Sequence, residues 1–208
     1  MTVTITEAIT TLAEAERRFN LSRTEDETFF SEWQTRLPDI EMTEQTALAE
    51  LRRRYLYQRS ESQLLEGTVT LLLVSPLLTI AGFYDPPFKV RAEESVQLTL
   101  RDGEDILNGR IDVLVLLNRL WVVVLESKKT ALSVWAALPQ TLAYLMSNPQ
   151  PEQPSFGMVT NGDDILFVKL TQGSQPSYAV SRVFAPFTSN RELLTALQIL
   201  KRLGQVTA

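Results

Sequence analysis

The sequence predicts an α/β or α+β fold: a helical N-terminal stretch, then a mixed sheet interrupted by one helix, then a closing helix. Three observations predict it. The first sixty residues set Phe29, Phe30, Trp33, Leu48, Leu51 and Tyr55 among charges in a helical style. From Lys89 onward, short Val- and Leu-rich runs separated by turn residues replace that texture. Finally, Leu193, Leu197, Leu200 and Leu203 give the last segment one apolar helical face.

Taken in order, Thr24 and Glu27 form a candidate capping box opening a helix through Trp33 and Leu37, which Pro38 ends. Met42 to Arg59 predicts a long helix. Leu64 to Ala81 predicts another, with Gly82 as its stop and Pro76 as a kink or boundary. VQLTL (Val96 to Leu100) alternates as a half-buried strand. Arg110 to Leu117 and Leu120 to Leu125 are denser apolar runs, close enough to pair as an antiparallel hairpin. Ser133 to Asn148 predicts a helix with Pro139 in its first turn or bending it. Strands at Phe156 to Thr160 and Ile165 to Leu170 flank the turn Asn161-Gly162-Asp163-Asp164, and a last strand is expected near Tyr178 to Val183. Ser189 with Glu192 caps the closing helix. This divides the chain into a helical N-terminal extension, 1–60, and a sheet-bearing domain, 61–208.

Composition narrows the chemistry. Among 208 residues there is no cysteine and no histidine. Disulfides, thiolate and imidazole metal sites, and a histidine general base are thereby excluded. Any metal would be a hard, oxygen-preferring one. The N-terminus lacks the pattern of a signal peptide, and the apolar run Leu71 to Phe83 is too short to span a bilayer, so a cytoplasmic protein without membrane attachment is expected. A net charge of −5 argues against a broad nucleic-acid-coating surface but permits a local basic groove. Lys128, Lys129, Arg110 and Arg119, with Lys89 and Arg91 expected on the neighbouring strand, supply such a rim. Arg52, Arg53 and Arg54 point around most of a helix and read better as a solvated surface.

One constellation stands out. Asp112 interrupts the apolar run IDVLVLL, where an unpaired carboxylate costs several kcal/mol and so calls for a partner or a cation. Glu126 and Lys128 are two apart at the end of the next run, WVVVLESKK, and so share one strand face. A three-residue loop at Asn118, Arg119 and Leu120 sets Asp112 opposite Glu126. A two-residue loop sets Asp112 opposite Leu125 instead, so facing carboxylates require an odd loop or a bulge. Carboxylates so placed favour a shared proton or a divalent cation. Gln140 and Tyr144, four apart, share a face of the following helix.

Asp112, then Glu126-Ser127-Lys128 closing the next strand, resembles the PD-(D/E)xK nuclease superfamily. Gln140-x-x-x-Tyr144 resembles the supporting motif of its RecB-like members. Leu65-Glu66-Gly67, leading to Ser75-Pro76-Leu77-Leu78 and Ala81-Gly82-Phe83, resembles the opening helix of the N-terminal nuclease domain of type I restriction enzyme R subunits. Thr160-Asn161-Gly162 is similar to that family's turn after the core helix. The resemblance covers about Glu61 to Leu170, and it departs from the pattern where Ile111 replaces the proline before the aspartate.

The resemblance implies a restriction-endonuclease-like fold, a mixed central sheet flanked by helices, here with a helical N-terminal extension. It implies magnesium- or manganese-dependent hydrolysis of phosphodiesters, most naturally in DNA. Glu66, Asp112 and Glu126 would hold metal, with Glu61 competing for the place of Glu66. Lys128 would activate or position water, and Gln140 and Tyr144 would support the site. The implied partners are nucleic acid and either a second copy or a partner subunit. The rival expectation is a catalytically silent binding module of the same fold within a larger nucleic-acid-processing complex.

Overall fold

The computed structural model describes residues 2–99, 106–117, 120–127 and 130–206, with the backbone alone described at 2–3, 99, 117 and 120–127. Eight strands form one mixed sheet among the described residues. In chain order they are β1 (Thr2–Thr4), β2 (Ser22–Arg23), β3 (Phe88–Thr99), β4 (Ile106–Leu117), β5 (Leu120–Ser127), β6 (Ser155–Thr160), β7 (Ile165–Thr171) and β8 (Ser177–Val180). The helices are α1 (Ile5–Ala8), α2 (Leu12–Phe19), α3 (Met42–Arg59), α4 (Glu66–Val69), α5 (Ser75–Ile80), α6 (Leu138–Met146) and α7 (Asn190–Val206).

The expected β4–β5 hairpin is present and antiparallel, as are β6–β7 and β7–β8. β5 and β6 are parallel, which demands a crossover, and α6 supplies it. Antiparallel β3 runs along one edge of β4 over its whole length. The other edge of β4 is shared: β1 pairs in parallel with 106–108, and β5 pairs with 113–117.

Helices cover both faces. On one, α3, α5 and α7 enclose Tyr55, Leu77, Val113, Val115, Phe167 and Leu200; on the other, α1, α2 and α6 enclose Ile5, Phe19, Leu114, Leu142, Tyr144 and Tyr178. The result is a mixed sheet between two helical layers, the α/β architecture that the resemblance implies and one of the two classes that the change of texture allows.

Several elements differ in detail from expectation. Of the expected helix 64–81, residues 66–80 are helical but not uniformly so: a π turn at 70–74 joins α4 to α5. Pro76 lies at the start of α5, where its missing N–H would otherwise break a ladder bond, and the wider turn before it makes room for its ring. Pro139 sits in the first turn of α6, one of the two places expected for it.

Thr24 and Glu27 do not open a helix. Thr24 Oγ1 accepts from the Asp26 amide at 3.2 Å and Asp26 Oδ1 accepts from the Thr28 amide at 2.8 Å. These short-range side-chain bonds compete with helix formation, and only a 3₁₀ turn, Ser31–Trp33, follows. The first sixty residues are also not helical throughout, since they contribute β1 and β2 to the sheet.

Candidate active site at the carboxyl ends of β5 and β6

In β5, Leu117 pairs with Leu120 and Leu116 with Trp121, the register of a two-residue connection. That register alone would set Asp112 against Leu125. A bulge intervenes: Val115 pairs with Val123, so Val122 is the extra residue, and Val113 then stands opposite Leu125. One position beyond this pair, the next residues on the two strands are Asp112 and Glu126. The bulge therefore meets the condition derived above for facing carboxylates. Glu126 is placed through its backbone, which pairs with Val159 of β6; its side chain lies outside the described residues, as do Lys128, Lys129 and Arg119 altogether.

Asp112 occupies an irregular point of β4. Leu107 and Ile111 belong to the same apolar layer as Leu114 and Leu116, whereas Val113 and Val115 belong to the opposite one, so the inward–outward alternation slips at 112. Across the strand pair, Glu93 has φ +54 and interrupts the ladder between Ala92↔Val113 and Glu94↔Ile111. The interval Gly109–Asp112 is also where β4 passes from β1 to β5 on its shared edge. Here a half-buried carboxylate, rather than a fully enclosed one, is attainable.

Glu66 is the exposed first residue of α4, and α4 packs beside β5. Two bonds hold these segments together: the Leu64 amide donates to Thr130 Oγ1 at 3.2 Å, and the Thr130 amide donates to the Leu64 carbonyl at 3.2 Å. Thr130 is three residues past Ser127, so the chain leaving β5 is fastened within about 11 Å of the strand end to Leu64, two residues ahead of α4. Glu61, also exposed, lies before this fastening and outside α4.

The Thr160-Asn161-Gly162 turn closes the same end. Ser127 and Thr160 are paired last residues of β5 and β6. Asn161 Nδ2 donates to the Leu132 carbonyl at 2.7 Å, and Asn161 Oδ1 accepts from the Asp164 amide at 2.7 Å. The Gly162 amide donates to Thr160 Oγ1 at 3.0 Å. From α3, the Tyr55 hydroxyl donates to Asp163 Oδ1 at 3.2 Å, and Arg59 forms a forked pair with the same carboxylate, Nη2 to Oδ2 being 3.0 Å. Burial, with the nearby Asp163 charge, pushes the Tyr55 hydroxyl well above the ordinary tyrosine range, so it remains a donor. Asp164 is also raised, by desolvation first and then by Asp163.

Gln140 Nε2 donates to the Tyr144 hydroxyl at 2.7 Å, so the two residues predicted to share a face of α6 are directly bonded. The Tyr144 ring is 1% exposed and lies against Gly109, three residues from Asp112: a Cβ there would come within 2.6 Å of Tyr144 Cε1 and 2.7 Å of Ile5 Cδ1. This glycine is required for a close approach, and it was not singled out from the sequence. Nor were the Leu64–Thr130 fastening and the Tyr55–Arg59–Asp163 clamp, which join residues 66 to 108 positions apart.

The basic rim is partly neutralised. Arg91 pairs with Glu94 at 2.7 Å and Arg110 with Glu93 at 3.6 Å. On α3, Arg53 and Arg54 both engage Glu50, in keeping with a solvated face.

Residues 31–176, well over half the chain, match the family model described as the type I restriction enzyme R protein N terminus. The chain belongs to this family. A solved fragment from Vibrio vulnificus YJ016, described as an HsdR subunit of a type I restriction enzyme, is 20% identical with a TM-score of 0.42, over 63% of this chain and 25% of that one. The chain thus spans about a quarter of that structure's length. No curated protein matches it. All the residues carrying the resemblance, Glu66, Asp112, Glu126, Lys128, Gln140 and Tyr144, fall inside the family segment. No described helix is long and apolar enough to cross a membrane.

Proposed function

We propose that this chain is a metal-dependent nuclease domain of the PD-(D/E)xK type that hydrolyses phosphodiesters of DNA. The observation that carries this reading is the β5 bulge at Val122, which shifts the register so that Asp112 and Glu126 are the residues that follow the last ladder pair, Val113 and Leu125. Family membership supports it. So does the convergence of α4, the end of β5 and the Thr160–Gly162 turn, since the carboxyl ends of parallel strands are where open α/β sheets build their sites.

The donor set fits a hard divalent cation, magnesium or manganese: it contains carboxylates only, in a chain without histidine or cysteine. Among the described side chains no group of three metal-binding residues is gathered, and the Glu126 carboxylate is not one of those side chains. Asp112, Glu126 and Glu66 would hold the ion. When bound, such an ion supplies Lewis acidity toward a phosphate oxygen and lowers the pKa of water. The chain's own groups do the rest. The Lys128 ammonium meets negative charge developing on the phosphate and orients the attacking water. Gln140, bonded to Tyr144, holds the helix face beside β4 in a fixed orientation. In the reaction, water oxygen bonds to phosphorus, the ester oxygen leaves with a proton, and two strand ends result. Activity within a larger complex, with partner subunits, belongs to the same reading.

Asp112→Asn and Lys128→Ala are each expected to abolish magnesium-dependent nicking of supercoiled plasmid while leaving the far-ultraviolet circular dichroism unchanged. Nicking that survives both changes would sink the assignment. Magnesium or manganese binding by calorimetry that depends on Asp112, with no nicking by the unaltered protein, would identify a silent binding module instead.

A further inference from the structure

The loop that leaves the proposed site, 130–136, is pinned at several points and still presents apolar side chains outward. Thr130 is bonded to Leu64, the Leu132 carbonyl to Asn161, and Ser133 Oγ accepts from the Trp135 amide at 3.3 Å. Val134 is 1% exposed and packs with Ala137, Val159 and Leu166, which plugs the turn into the protein. Its neighbour Trp135 is nevertheless 43% exposed, Leu132 is 39% exposed, and Leu65, across the Leu64–Thr130 bonds, is 69% exposed. The loop buries Val134 and leaves 43% of Trp135 exposed, and that exposed apolar area gains nothing from the hydrophobic effect. Trp135 lies within about 11 Å of Leu132, Cα to Cα, and Leu132 is tied to the residue after Thr160, at the carboxyl ends of β5 and β6.

We infer that Trp135 is a stacking platform for an unpaired base of the strand being cut, with Leu132 and Leu65 as its apolar rim. The inference rests on the nuclease reading and narrows its substrate to nucleic acid with a single-stranded or locally opened segment. Charge selects this occupant over an apolar protein surface. Lys128 and Lys129 stand seven and six positions before Trp135 in a chain of net charge −5, so two cations and the indole fall within one short segment of sequence, the combination that single-strand binders use for phosphate and base together. Every base has a π face, so the contact would favour unpaired over paired bases without reading sequence.

The test uses the full chain in EDTA, so that binding is separated from cleavage. Three fluorescein-labelled probes of equal length are titrated by anisotropy: an oligothymidylate, the same strand with abasic sugars, and a closed hairpin duplex. The expected result is tighter binding of the oligothymidylate than of the abasic strand. Trp135→Ala should weaken oligothymidylate binding by about tenfold, the scale of one lost base stack, and leave the abasic strand unchanged. Trp135→Phe should recover most of the loss, which a merely structural role at an exposed position would not require. Equal binding of the two strands by the unaltered protein overturns the inference, and so does a preference that survives Trp135→Ala. Binding of none of the probes also overturns it and leaves the rim to a protein partner. Plasmid nicking in magnesium is scored in parallel: its absence alongside Trp135-dependent binding rejects the nuclease reading alone.

Discussion

Gly162 has φ +92, a conformation that costs an L-residue about 1–2 kcal/mol. A Cβ at this position would overlap the Tyr55 hydroxyl and press on Val69 at 3.2 Å. Both consequences fall on one structure, because Tyr55 holds Asp163 and Asp163 is gripped by Arg59. Gly162→Ala should therefore lose the backbone preference and the Tyr55–Asp163 hydrogen bond together, about 2–4 kcal/mol. For a chain of this length that is a fall of roughly 5–15 °C in the thermal midpoint, measurable by calorimetry. A change under about 2 °C would mean that Tyr55 can move aside and that the clamp from α3 does not hold the turn. In the sequence this glycine is legible as a turn residue, since Asn161-Gly162 is a strong local signal. Its contact with Tyr55, 107 positions away, is not, because nothing in either neighbourhood marks the partner.

At the scale of elements, the candidate site depends on two devices that differ in how visible they are. The Asp112–Glu126 relation could be stated from the sequence as a condition, an odd loop or a bulge. Which one the chain uses could not be known, because an extra residue within Trp121-Val122-Val123-Val124 leaves no mark in a run of valines. The long helix α3 and the strand pair β6–β7 were legible because each carries its own periodicity or turn. By contrast β1 has three residues and β2 two, too few for any pattern, and both exist only because a neighbouring strand accepts them. The second device, the fastening of α4 to the end of β5, predicts a separation of stability from function. Thr130→Val removes the hydroxyl that accepts the Leu64 amide and keeps the reciprocal backbone bond. The expected cost is about 1 kcal/mol in urea unfolding. Since Glu66 lies two residues past Leu64, the magnesium concentration giving half-maximal nicking should rise severalfold, on the order of the tenfold that 1.4 kcal/mol represents. An unchanged magnesium dependence would show that the fastening serves folding alone and would favour Glu61, upstream of it, as the third carboxylate.

Over the whole molecule, the sheet separates two apolar layers, and the proposed site sits where β4 passes from one edge partner to another. The segment before α3 takes part in this. β1 pairs with 106–108, Ile5 is fully buried, and its Cδ1 lies with Tyr144 over Gly109, in the same interval of β4 that ends at Asp112. α1 is only one turn long, but Thr4 and Glu7 close a reciprocal capping box that fixes the angle at which Ile5 enters the layer. These contacts predict that the N-terminal residues support the Gln140–Tyr144 side of the site. Ile5→Ala should cost about 2–5 kcal/mol, as large-to-small changes at fully buried positions do, and lower the thermal midpoint by roughly 5–20 °C. Removing residues 1–9 takes away β1 and α1 together and uncovers Leu107 and Ile111, so the shortened chain should unfold less cooperatively and bind a hydrophobic dye in its absence of denaturant. If instead the shortened chain melts within about 2 °C of the full one, with the same sharpness, the first residues are an appended extension and the β1–β4 pairing contributes nothing to the frame that holds Asp112.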